Sequence, residues 1–191
     1  MNNEELNNQL YDSLCASVLK WFEADRGYTH EVEIRIHKYL EGCKDIGYPE
    51  AVIGESIRDA SFYVGLTKEP IIGDGPLHCN MSLSMIFHDE ILAEDEKKTP
   101  IHYDVLNVLN RYNRRGLRFY YDEEANRIEV EQDFDFYPGS QPSDKEITQM
   151  LDEFYFSRDI EDIAELVESG GWLDPELYVK DLFVRKVNVC Q

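Results

Sequence analysis

The chain has 191 residues, with 39 Asp plus Glu against 19 Lys plus Arg and a formal net charge of -20, yet 42% of it is hydrophobic and 12% aromatic. That apolar share suits one folded domain with a sizeable core. The charge argues against phosphate backbones and anionic lipid as partners and favours a basic protein, met quickly and salt-sensitively.

The opening MNNEELNNQLYD carries acids where a secretory signal carries bases. No apolar run follows, so a cytoplasmic chain without a membrane segment is expected. Cys15, Cys43, Cys79 and Cys190 lie far apart without a CxxC, as befits reduced thiols. Leu6, Leu10, Leu14, Val18 and Phe22 recur every four residues, with Leu19 beside them. They predict an amphipathic helix from about Asn3 to Ala24. From Thr29 to Cys43 two periods compete. Val32, Ile34 and Ile36 alternate as in a strand, whereas Val32, Ile36, Tyr39, Leu40 and Cys43 fit a helix over a longer run, and a helix is expected.

Strands follow. ASFYVGL sets Phe62, Val64 and Leu66 on one face. In LHCNMSLSMIFH, Leu77, Cys79, Met81, Leu83, Met85 and Phe87 alternate with mostly polar partners, the pattern of a strand with one face buried. Thr99 and Pro100 then suit a helix start. Val105, Val108, Leu109 and Tyr112 form its apolar stripe, Arg111, Arg114 and Arg115 suit its last turn, and Gly116 ends it. A hairpin comes next: Leu117, Phe119 and Tyr121 share a face with Ile128, Val130, Phe134 and Phe136, and DEEAN makes the turn.

Ser143 and Glu146 form a capping box opening another helix, with Ile147, Met150, Leu151 and Phe154 on its apolar side. The pattern slips at SRD, resumes through Ile160, Ile163, Leu166 and Val167, and stops at Gly170-Gly171. Asp174-Pro175 opens a short helix, and Phe183, Val187 and Val189 read as a last edge strand. The expected fold class is α+β, an antiparallel sheet packed against helices. Its expected divisions are an N-terminal helix (1–27), the α+β domain (28–170) and a C-terminal extension (171–191).

Glu129, Glu131, Asp133 and Asp135 make an acidic row whose neighbours stand about 6.6–6.8 Å apart on a strand. That is too wide for two neighbours to serve one cation. It overlaps the roughly 6.5–9.5 Å gap of inverting glycosidase carboxylates, but such a pair needs a buried acid. The row reads as a solvated strand face, with Arg118 pairing to Glu129 or Glu131, and as a docking surface for a basic protein. His30 and His37, or His78 and His88, lack metal-site spacing, and Cys79 falls on the apolar face, where a thiol is inert packing. No catalytic residue, metal ligand or cofactor motif is assigned. Met81 and Met85 are read as core or as an adaptable protein-binding surface.

LNRYN at Leu109–Asn113, followed by LRFYYDEEANRIEVEQDF, resembles the YbjN-like proteins, a bacterial group with the fold of type III secretion chaperones. Asn110 and Asn113 match the two asparagines of that family's N-x-W-N element, and Tyr112 stands where tryptophan is usual. The resemblance covers mainly Ile101 to Val167, and extends to an α-β-β-β-α-β-β-α order if PEAVIGES holds a further strand. It implies a non-enzymatic protein-binding module, often a homodimer, with a regulatory or chaperone-like role. Asn110 and Asn113 would tie the helix end to the hairpin and the Tyr112 ring would lie beneath the sheet, so that Tyr112→Ala would cost about 3–5 kcal/mol. An immunity or anti-defence protein that masks a basic partner or mimics nucleic acid, and a small hydrolase with a loop-assembled site, are the alternatives.

Overall fold

The structure, a computed structural model, describes residues 3–24, 35–38, 51–57, 60–68, 78–88, 99–112, 115–122, 124–125, 127–168 and 180–184. In chain order its elements are α1 (Asn3–Glu23), β1 (Arg35–Lys38), β2 (Ala51–Ile57), β3 (Ala60–Thr67), β4 (Cys79–His88), α2 (Thr99–Tyr112), β5 (Arg118–Asp122), β6 (Arg127–Phe136), α3 (Asp144–Tyr155) and α4 (Arg158–Glu168). The strands form one six-stranded sheet in the order β1-β2-β3-β4-β6-β5. The pairs β1–β2, β2–β3 and β5–β6 are antiparallel. The fold is therefore α+β, as the alternating strands between amphipathic helices imply.

The helix expected over Thr29 to Cys43 is corrected. Arg35–Lys38 is a strand, with Arg35 facing Gly54 and Lys38 facing Ala51. A local pattern that fits two periods is decided by a non-local partner, here β2 in the PEAVIGES stretch. Phe183 also departs from expectation: 180–184 is helical rather than an edge strand. Val187 and Val189 lie outside the described residues.

Contacts divide the chain into two units, Met1–Ser84 with Asp133–Phe154, and Met85–Gln132 with Tyr155–Gln191. α1 belongs to the first unit's core. Leu10, Leu14, Val18, Trp21 and Phe22 of α1 are buried, as are Phe62, Val64 and Leu66 of β3 and Phe154 of α3. Phe62 stacks on Phe22 at 5.5 Å and on Phe154 at 5.6 Å, and meets Trp21 edge-on at 5.5 Å. Such offset and edge-on pairs add about 0.5–1.5 kcal/mol beyond the area they bury.

Polar contacts orient α1 around that ring cluster. Trp21 Nε1 donates to Asp152 at 2.8 Å, Ser17 Oγ donates to Asp144 at 2.7 Å, and Lys20 Nζ reaches the other Asp144 oxygen at 2.9 Å. The Ser17 hydrogen bond first, then Lys20, holds the Asp144 carboxyl below the usual carboxylate range. At the other end of the helix, buried Asn7 donates to the Lys68 carbonyl at 2.7 Å, and the Cys79 thiol lies 3.4 Å from Asn7 Oδ1. The capping box at α3 forms as expected: Ser143 N–H donates to Glu146 at 2.7 Å, and Glu146 N–H donates to Ser143 Oγ at 3.3 Å.

In the second unit Val105, Leu106 and Leu109 of α2 are buried, so its stripe sits one residue off the expected one: Val108 and Tyr112 are half-exposed. Gly116, at φ 74°, turns the chain from α2 into β5, a left-handed conformation that glycine adopts without strain. The slip at SRD is a new helix start. Buried Ser157 accepts the Ile160 N–H at its hydroxyl, 3.2 Å away, and caps α4.

Phe62 is fully buried among three aromatic rings, so Phe62→Ala is expected to lower unfolding free energy by about 3–5 kcal/mol in urea titration. A loss below about 1 kcal/mol would show that the cluster does not hold α1 to β3 and α3.

Candidate functional site

The hairpin of β5 and β6 carries the acidic row, and its register explains the row's chemistry. Arg118 faces Glu131, Tyr120 faces Glu129 and Asp122 faces Arg127, so each acid meets a donor across the ladder. Directly opposed residues are close enough for such pairs to form. Arg118 reaches Glu131 at 3.4 Å, the Tyr120 hydroxyl donates to Glu129 Oε2 at 2.6 Å, and Arg127 Nε lies 3.3 Å from Asp122. Arg127 Nε also faces Glu129 Oε1 as an ion pair, without the angle of a hydrogen bond. Asp122 sets the turn, accepting the N–H groups of Glu124 and Ala125, each at 3.1 Å, an arrangement typical of Asx turns.

The expectation of a uniformly solvated row is therefore corrected at one end. Glu129 is only 7% exposed, because the phenol opposite and the arginine two residues back cover it. Glu131 is half-buried. Tyr120 is the hub: burial first, then hydrogen bonds to Glu129 and Glu131, push its phenol well above its ordinary range. Deprotonating it would put a third negative charge between two carboxylates.

Asp133 and Asp135, which belong to the first unit, are exposed. Asp135 accepts from Asn80 at 3.1 Å and lies 3.5 Å from His78 Nε2, whose ring packs against Tyr137 at 5.6 Å. Met81 and Met85 do not form a surface. They are 0% and 6% exposed, since both fall on the apolar side of the β4 alternation, and their reading as a protein-binding face is corrected to core.

Asn110 makes two hydrogen bonds to one residue of β5, donating to the Phe119 carbonyl at 2.7 Å and accepting the Phe119 N–H at 3.0 Å. Tyr112 is not a buried ring. It is half-exposed, edge-on to Phe183 at 5.5 Å, with the Arg111 guanidinium 5.6 Å from its centre. Asn113 lies outside the described residues. Phe183 and its neighbour Val184 are 42% and 47% exposed. Tyr155 and Phe156 pair edge-on at 5.0 Å, and Phe156 is 54% exposed.

Sequence reasoning missed Tyr120, Asp122 and Arg127. The signal was present, since acids and donors in RFYYDEEANRIEVE face one another when the hairpin is folded about Glu124 and Ala125. Buried Asp162 of α4 was missed too, and Arg158 Nε lies 3.6 Å from it. Among the described residues no group of three His, Cys, Asp or Glu is placed to hold a metal ion, and no helix is long and apolar enough to cross a membrane. No protein-family model and no curated protein matches the chain.

Two outcomes follow from this geometry. The folded state favours the protonated Tyr120 phenol, so its contribution is whole below the ordinary phenol range and is lost as pH rises above about 10. Tyr120→Phe should therefore show a shallower alkaline loss of stability than wild type in unfolding measured from pH 9 to 11.5, and equal slopes would contradict the hub. Tyr112→Ala should cost about 1–2 kcal/mol, the scale of a half-exposed aromatic pair rather than a core truncation. A loss of about 4 kcal/mol in the same assay would restore the buried ring.

Proposed function

We propose that the protein is a non-enzymatic protein-binding module with a chaperone-like or regulatory role, and that its partner is a basic polypeptide. The observation that carries this reading is the exposed apolar cluster of the second unit, where exposed Phe183 meets Tyr112 edge-on, the Arg111 guanidinium lies near the Tyr112 ring, and exposed Val184 follows Phe183 in the chain. Aromatic and arginine side chains are the ones enriched at protein interfaces, and they act as anchors when a partner covers them. The formal charge of -20 would speed a basic partner's approach and make the encounter salt-sensitive.

The hairpin supports the reading from the other side. A catalytic carboxylic acid needs a free site for substrate, whereas Glu129 is used as acceptor for Tyr120 and counter-ion for Arg127. Buried Asp162 is likewise paired, with Arg158. The resemblance to YbjN-like proteins agrees with a binding role and implies a homodimer. The exposed Asp133 and Asp135 favour one second reading, an immunity-type protein that masks a basic surface.

Tagged wild type and Phe183→Asp protein, immobilised and challenged with lysate, separate these possibilities when eluted with rising salt. A stoichiometric polypeptide held by wild type and lost from Phe183→Asp supports the apolar anchor. A polypeptide held equally by both, but released by salt and lost from Asp133→Asn/Asp135→Asn, moves docking to the acidic face. Capture of no polypeptide by wild type at any salt concentration would overturn the binding-module reading.

A further inference from the structure

Asn110 stands in for a strand. A primary amide presents a donor and an acceptor side by side, as the peptide groups of a neighbouring strand do, and Asn110 gives both to Phe119. In an antiparallel ladder the N–H and C=O of one residue point to the same side, and those of the next residue to the opposite side. Both Phe119 groups go to Asn110, so both point away from β6, and Phe119 with its register partner Val130 is a non-hydrogen-bonded pair. Among the described residues β5 is also the last strand in the sheet order. The Asn110 amide thus lies on the outer edge of β5, where the peptide of an added strand would lie.

We propose that Asn110 is an edge guard, closing β5 against strand addition by a second copy of this chain. Its two hydrogen bonds and an added strand need the same N–H and C=O of Phe119, so the two arrangements exclude each other. The choice of occupant comes from β5 itself. Two copies of RFYYD aligned antiparallel about Tyr120 set Arg118 opposite the second copy's Asp122, and Asp122 opposite the second copy's Arg118. Opposed unlike charges stabilise a strand pair, and the two-fold arrangement closes on itself.

Strand polarity permits this register. Phe119 turns its main-chain groups outward, and by alternation so does Tyr121. The two residues face each other across the proposed pair, at its hydrogen-bonded positions. An aromatic edge strand without such a guard is a template for association. Lysine and proline are the usual protections, and β5 contains neither.

The test uses the full chain as wild type, Asn110→Ala and Asn110→Ala/Arg118→Glu, with mass read by light scattering over a wide concentration range. Amide exchange is read in dilute solution. The guard predicts that Asn110→Ala reaches twice the wild-type mass as concentration rises, and that adding Arg118→Glu, which sets an acid opposite the second copy's Asp122, restores the wild-type mass. In dilute Asn110→Ala the Phe119 amide should exchange at least about tenfold faster than in wild type, since it loses its acceptor. Wild-type mass for a folded Asn110→Ala at every concentration would overturn the proposal, and so would a doubling that survives Arg118→Glu. Should Asn110→Ala lack the wild-type circular dichroism, Asn110→Leu is read instead. It keeps the shape but loses both the acceptor and the donor to Phe119, and wild-type mass for it overturns the guard as well.

Discussion

A carboxylate carried out of water must find its donors inside the protein, and in this acidic chain the β5–β6 hairpin is organised by that constraint. Removing an ion from water costs several kcal/mol unless hydrogen bonds and a counter-charge replace its hydration. Glu129 has one of each, the Tyr120 hydroxyl donating to one oxygen and the Arg127 guanidinium standing beside the other as counter-charge. Arg127 in turn faces Asp122, which fixes the turn through Glu124 and Ala125. Turn, register and charge balance are one arrangement. A one-residue slip of the strands would separate all three facing pairs and move the apolar residues to the wrong side.

The start of β5 is tied to α2 by two different means. Gly116 lets the chain leave α2 and enter the strand, and Asn110 reaches from α2 to both main-chain groups of Phe119. The first unit relies more on rings: Phe62 with Trp21, Phe22 and Phe154, surrounded by the hydrogen bonds of Trp21 and Ser17 to α3. Apolar stacking supplies most of the stabilisation there and the polar contacts set orientation, since a net hydrogen bond is worth only about 0.5–1.5 kcal/mol. Phe183, Val184 and Phe156 are among the large apolar side chains of the second unit that stay exposed.

Elements with one clear period were legible in the sequence. The every-fourth-residue stripe of α1, the alternation of β3 and β4, and the Ser143/Glu146 box each state their structure locally, and each formed. Where two periods overlapped, as around Arg35 to Lys38, the deciding partner was β2, distant in sequence. The start of α4 looked like a broken pattern because Ser157 was read as an interruption rather than as a cap. At the acidic row, alternation gave the face correctly but not the burial. Strand period says which side Glu129 is on; only the register says that Tyr120 and Arg127 cover it.

A double-mutant cycle of Tyr120→Phe and Glu129→Leu, read as unfolding free energy at neutral pH, tests this account most directly. A cross-strand hydrogen bond to a mostly buried charge predicts that the double variant departs from additivity by about 1–2 kcal/mol, with each single change already removing the interaction. Additive losses within about 0.3 kcal/mol would contradict it. The acidic row would then be a set of independent surface charges, and the organisation of the hairpin would have to come from its apolar face alone.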